Sequence, residues 1–169
     1  MNTTQPNAEA AVLRRYLDAQ RAHILGILEG LDDEALRRPA LPSGWSCLGL
    51  VQHLTLDVEY FWFRCVVAGD SEAIAGLTDA NAWHVAPDVP AVAILDRYRD
   101  ECARANAILA AATPETPPAW WPGDLFGDFR LHTVREIILH VITETACHTG
   151  HLDAVRELLD GRKWLVLTE

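Results

Sequence analysis

The 169 residues predict an all-α fold, a four-helix bundle with long crossover loops, and three observations point there. Four long stretches carry apolar residues at helical spacing, with breakers between them. No stretch alternates apolar and polar residues convincingly enough to compete as a strand. Two of the connections, residues 70–88 and 113–130, are too long for hairpin turns between neighbouring helices, so the order is not simply up-down-up-down.

The first helix is predicted over residues 8–31, with Leu13, Leu17, Ile24, Leu28 and Leu31 as its buried stripe. Gly30 and the acidic run from Asp32 to Glu34 end it. Pro39, Pro42 and Gly44 break the following loop. Ser46 reads as the N-cap of a second helix that runs to about Ala68, ahead of Gly69 and Asp70. Asp88 and Pro90 open a third helix, with Ala91, Leu95, Tyr98, Cys102, Ala105 and Leu109 turned inward. Thr133 and Glu136 match a capping box for the fourth, which runs to Asp160 and stops at Gly161. The apolar tail after Lys163 is expected to pack back on the bundle. The two long loops hold Pro and Trp and are expected to wall one end of it.

Length predicts one domain, residues 1–169. Fourteen basic residues against 24 acidic ones, a net charge of −10, exclude a nucleic-acid-binding face and disfavour an anionic membrane surface. No apolar run is long enough to span a bilayer. Met1 to Pro6 lack the basic and apolar regions of a signal peptide. Four scattered cysteines, with no close pair, predict a reducing cytoplasm rather than a disulfide framework.

The most informative stretch is Glu144-Thr-Ala-Cys-His148-Thr-Gly-His151. Spacings of four and three place Glu144, His148 and His151 on one helix face. Ile137, Val141, Val155 and Leu158 continue that face and predict it to be buried. A carboxylate and two imidazoles need a partner there, because burial without one is costly. A metal ion is one such partner. On the second helix, His53, Asp57, Tyr60 and Arg64 follow i, i+4, i+7, i+11 spacing and share a face on α-helical geometry. One ligand from that helix and a Glu-x-x-x-His pair from another make a bundle metal site.

His53, Glu144 and His148 match the two-His, one-carboxylate count of open catalytic zinc sites. The competing reading, that each is a hydrogen-bonded core residue, stays open at this point. His151 reads as a fourth ligand, a supporting group or a surface residue. His140 reads as a hydrogen-bonded core histidine, and His23, His84 and His132 lack companions. Asp57, Tyr60 and Arg64 read either as groups that orient ligands and contact substrate or as an ion-pair network. Cys147 points about 100° away from His148 and reads as a small core residue. Trp120 and Trp121 read as pocket wall or as loop anchors. There is no nucleophile elbow, phosphate loop or H-E-x-x-H motif.

Two segments carry a family resemblance: Trp45-Ser46-Cys-Leu-Gly-Leu-Val-Gln-His53-Leu, and the stretch from Ile138 through His140, Glu144, His148 and His151 to Gly161. On these the chain resembles the DinB/YfiT-like metalloenzyme superfamily. Within it, the chain is similar to the branch of mycothiol-dependent maleylpyruvate isomerase and related mycothiol S-transferases. The resemblance implies a bundle of up-down-down-up order. It also implies a metal held by His53, Glu144 and His148, with His151 outside the ligand set because many relatives carry Gln there. Glu144 in place of a third His is similar to the zinc-holding, mycothiol-activating members. The isomerase's additional C-terminal domain has no counterpart here, which leaves the electrophile open.

The expected activity is therefore metal-dependent thiol S-transfer, with zinc as the metal and mycothiol as cosubstrate. Nickel, iron and manganese accept the same donors. The expected partners are a small-molecule thiol and an electrophile, with no nucleic acid and no membrane, and the chain is a monomer or homodimer. The alternative is a non-catalytic, stress-associated bundle with a structural metal. A fourth ligand, His151 being the candidate, would favour it, because structural sites are closed. A cysteine-based redox sensor is a weaker third reading.

Overall fold

The chain turns where the sequence interrupts its helical periodicity. The computed structural model describes residues 8–123 and 125–164, and among them every regular element is helical and no strand occurs. Helix α1 (Ala8–Leu28) buries Leu13, Leu17, Ile24, Ile27 and Leu28. It stops short of the expected Leu31, because Gly30 takes a left-handed φ of 82° that ends the helix. Asp32 then caps a short helix, α2 (Asp33–Arg37), by accepting from the Ala35 N–H. That turn was not anticipated.

The second long helix changes type partway. α3 (Cys47–His53) begins at Ser46, whose hydroxyl accepts from Gly49 N–H at 3.1 Å. It runs without interruption into a π-helical segment, Leu54–Val67. The Ala68 N–H bonds the Phe63 carbonyl at 3.0 Å, five residues back, at its end. Each residue of an i→i+5 helix advances about 80°, against about 100° in an α-helix. Four residues therefore still come close to one turn, but seven end on the far side.

Gly69, at φ 62°, closes the segment, and Asp70 caps α4 (Ser71–Ala75) inside the first long connection. α5 (Ala91–Ala111) buries Ala91, Ile94, Tyr98, Glu101, Ala105 and Leu109, while Leu95 and Cys102 are only half-buried. Its first N–H, on Ala91, is taken by Asp33 of α2 at 3.3 Å. The second long loop is tied to the end of the π-segment: Ala119 and Trp120 N–H groups bond the Val67 and Val66 carbonyls. These are the carbonyls that the helix end leaves unpaired.

α6 (Val134–Asp160) starts at Thr133, which accepts from Glu136 N–H, and ends at Gly161 with φ 78°. Leu158 was expected inside but is 63% exposed, with no described residue covering it. The buried stripe runs through Ile137, Val141, Thr145, His148, Leu152 and Val155. Glu144 lies on the margin of that stripe, half-exposed. Cys147 is exposed rather than in the core, since it lies about a quarter-turn off the stripe.

α1 packs along α6, and α5 along the π-segment, with α3 touching both α5 and α6. One core joins them, with Leu17, Ile24, Leu48, Leu54, Phe63, Tyr98, Ile137 and Leu152 fully enclosed. No described helix is long and apolar enough to cross a membrane. After α6 the chain is described as far as Trp164, which stacks on His23 at 5.2 Å. The rest of the expected apolar tail, and the segment Met1 to Pro6, lie outside the described residues.

Candidate metal centre

The junction of α3 with the π-segment faces the middle of α6, and three donors meet there. One ligand atom each from His53, Glu144 and His148 lies within 4.8 Å of the other two, and no further His, Cys, Asp or Glu among the described residues joins that group. Glu144 Oε1 is 3.2 Å from His148 Nε2 and 3.8 Å from His53 Nε2.

Hydrogen bonding sets how each imidazole is presented. His53 Nδ1 lies 2.8 Å from Asp57 Oδ2. A carboxylate only accepts, so Nδ1 carries a proton, and in the neutral ring Nε2 is left with a bare lone pair. That Nε2 is buried and has no hydrogen-bond partner. A buried polar atom left without a partner is costly, and this one points at a carboxylate and a second imidazole. The donor set fits a divalent metal of zinc type: two neutral nitrogens, one carboxylate oxygen, and a carboxylate behind the first His.

His148 is held differently: its Nε2 donates to Glu144 Oε1 at 3.2 Å, through a proton that a metal would displace. Its Nδ1 is 3.3 Å from His151 Nδ1, so His151 sits behind the ring, away from Nε2. His151 is exposed and packs against Trp45 at 6.2 Å. Burial, and then the nearby His53, lower the His148 pKa below the ordinary imidazole value, overcoming the opposite pull of Glu144. The neutral ring that a metal requires is thereby favoured.

Tyr60 and Arg64 do not reach this centre. The Tyr60 hydroxyl donates to the Ala73 carbonyl at 2.9 Å. Arg64 pairs with Asp70 at 2.9 Å and lies over the Tyr60 ring. The cause is the π-helical turn, which leaves Asp57 beside His53 but carries the i+7 and i+11 positions to the opposite side. The same wider turn brings Val58, Phe61 and Trp62 onto the His53 face. With Asp57, Leu125, Phe126, His140 and Glu144 they line a cavity of about 310 Å³ that opens beside the three donors. Trp121 backs this wall, tilted against Trp62 and Phe126, and Trp120 packs edge-on to Phe61.

Sequence reasoning expected the loop 70–88 to wall one end of the bundle but did not single out Trp83. Its ring stacks on His53 at 4.3 Å and 17°, and it also lies against His148. The Gln52 side-chain amide donates to the Ala82 and His84 carbonyls on either side of Trp83. Gly49 completes the clamp: any Cβ there would collide with the Trp83 carbonyl oxygen. The sequence signal was present in the bare Gly49 and in Gln52, one residue before His53, but nothing linked them to a loop thirty residues on.

The other cysteines are poor nucleophiles. Burial pushes the Cys47 and Cys65 thiols up to about 11, and Cys102 higher still. All four cysteines are free, and only Cys147 is exposed.

Asp57 offers a test of the presentation argument. Asp57→Ala should raise the zinc dissociation constant about 10- to 100-fold, because the tautomer and orientation of His53 are released. Its half-exposed side chain bonds no other described residue, so unfolding should barely change. Zinc titration against a competing chelator reads the first expectation, and a urea melt the second. Unchanged affinity would mean that Asp57 does not orient a ligand.

No curated protein and no solved structure matches the chain. One family model does match, that of mycothiol-S-transferase, over residues 12–161. These residues include α3, the π-segment and α6, and so all three donors. By that match the chain belongs to the mycothiol-S-transferase family.

Proposed function

We propose that the chain is a metal-dependent thiol S-transferase with zinc as its metal and mycothiol as its cosubstrate, working in the cytoplasm as a single domain of residues 1–169. The fold we assign is a four-helix bundle of up-down-down-up order, supported by the pairing of α1 with α6 and of α5 with the π-segment. One observation carries the functional reading. Three donor atoms converge, two of them from residues that line an apolar cavity, and one, His53 Nε2, is buried without a partner.

His53 Nε2, Glu144 and His148 Nε2 would hold the metal. When bound there, a divalent metal supplies the positive charge that keeps a thiol ionised near neutral pH. The residues do the rest. Asp57 and His151 hold the two rings by their Nδ1 atoms, so that both Nε2 atoms face Glu144. Trp83 covers one side of His53 and keeps water from it. Phe61, Trp62 and Phe126 present an apolar surface to the electrophile beside the sulfur. The sulfur forms a bond to the electrophilic carbon, and the electrons of the broken bond leave with the leaving group or enter the substrate.

The structural-metal alternative needs a fourth protein ligand. His151, the candidate, faces the back of His148 rather than the gap between the donors. A site of three protein ligands with one position open is the arrangement of catalytic zinc.

The deciding experiment measures metal content and mycothiol consumption together. Protein purified without chelator should carry about one zinc per chain and consume mycothiol in the presence of an electrophile, and both should be lost on chelation and restored by zinc. A folded chain that binds no metal, or binds it and never consumes mycothiol across a panel of electrophiles, would overturn the proposal.

A further inference from the structure

The cavity beside the donors limits what it can accept. Its volume of about 310 Å³ is at the small end of ligand sites. Val58, Phe61, Trp62, Leu125 and Phe126 make its walls, and among the described residues no Lys or Arg lines it. Such walls suit a flat apolar molecule and offer no counter-charge to an anion.

One polar group in the wall is not used by the metal centre. His140 lies one helical turn before Glu144 and lines the same cavity. Its ring packs edge-on to Trp62 at 4.7 Å and tilts against Phe129 at 5.8 Å. No described residue hydrogen-bonds it, and only burial and the Glu144 charge act on it. It was expected to be a hydrogen-bonded core histidine, and instead it is half-buried with both nitrogens unclaimed. An imidazole held between aromatic rings at a cavity wall offers an N–H to whatever fills the cavity.

We propose that the electrophile is a small, uncharged aromatic molecule with a carbonyl group conjugated to an alkene, and that His140 donates a hydrogen bond to the carbonyl oxygen. This rests on the transferase reading above. The sulfur bonds the β-carbon, the alkene π pair shifts to the α-carbon and carbonyl oxygen, and the proton released by the thiol ends on the α-carbon. No other reactant is needed. In that arrangement the His140 N–H meets the oxygen on which negative charge gathers, so the bond strengthens as the reaction proceeds.

Two unreactive probes test the subsite without thiol chemistry. Acetophenone and α-methylstyrene have the same shape, but only the first has a carbonyl oxygen. Their dissociation constants are read by tryptophan fluorescence on the protein as purified. The preference for acetophenone should fall about tenfold in His140→Phe, the worth of one hydrogen bond, while α-methylstyrene still binds. His140→Gln keeps an N–H donor and should recover part of that preference, which separates hydrogen bonding from shape. An unchanged preference in His140→Phe, or no binding of either probe to the wild type, overturns the proposal. Because the readout is binding, a wild type that discriminates the probes but never consumes mycothiol would sink the transferase reading alone.

Discussion

His148→Ala should leave a folded chain without metal. His148 is 8% exposed, and its Nε2 lies 3.2 Å from Glu144, so alanine removes a donor from the middle of the cluster. The two donors left, His53 and Glu144, come from different helices, and they cannot hold zinc against buffer. Metal content should fall from about one per chain to a trace, and mycothiol transfer by more than about 100-fold, beyond what loss of an orienting group costs. Stability should change by no more than about 1–2 kcal/mol for the metal-free forms, because the truncation also removes a partly desolvated polar ring. Elemental analysis, a transfer assay and a urea melt on wild type and variant check the three statements. Full zinc in His148→Ala would remove His148 from the site.

The largest stability effect should come from an ion pair that joins α1 to the π-segment. Arg21 on α1 and Glu59 on the π-segment form a buried two-pronged ion pair, with Nε–Oε1 at 2.7 Å and Nη2–Oε2 at 2.6 Å. Arg21 also donates to Asp18 and Asn106. Glu59 is 1% exposed and Arg21 4%. Coulombic attraction and hydrogen bonding to Glu59 outweigh the desolvation of the guanidinium, so its pKa is raised and it stays charged. Removing one partner strands the other in the core, and Glu59→Ala or Arg21→Ala should each cost about 3–5 kcal/mol. The double variant Arg21→Met, Glu59→Leu fills the space with apolar groups and should recover most of that loss. Chemical denaturation of the three variants gives the comparison. Single variants as stable as wild type would show that the pair is not buried in solution.

Both predictions concern residues whose legibility differed. Glu144 and His148 are four apart on one helix, and that spacing alone suffices to place them together. Arg21 and Glu59 are each unremarkable in their own segments. A buried ion pair between two helices leaves no local trace, because each partner looks like one charge on a mostly solvated face. Trp83 is similar: a loop aromatic acquires its role only when Gln52 and Gly49 fix where the loop runs. Leu158 and Cys147 were misplaced for the opposite reason. Periodicity assigns a face, but only a packed neighbour makes that face interior.

Local chemistry determined the helical segments and most of their ends. Ser46 and Thr133 bond the first free N–H groups, Gly30 and Gly161 accept the left-handed turn, and neither needs any distant residue. The apolar periodicity and the four-residue step from Glu144 to His148 were equally local. The tertiary structure decided which residues of the second long helix face the cavity. An α-helical reading groups His53 with Asp57, Tyr60 and Arg64, and the π-helical turn keeps Asp57 while exchanging the other two for Phe61 and Trp62. The choice between i→i+4 and i→i+5 bonding is set by how Phe61, Trp62, Phe63 and the buried Glu59 pack against α1, α5 and the second long loop. Those contacts are far apart along the chain, so no window of the sequence contains them.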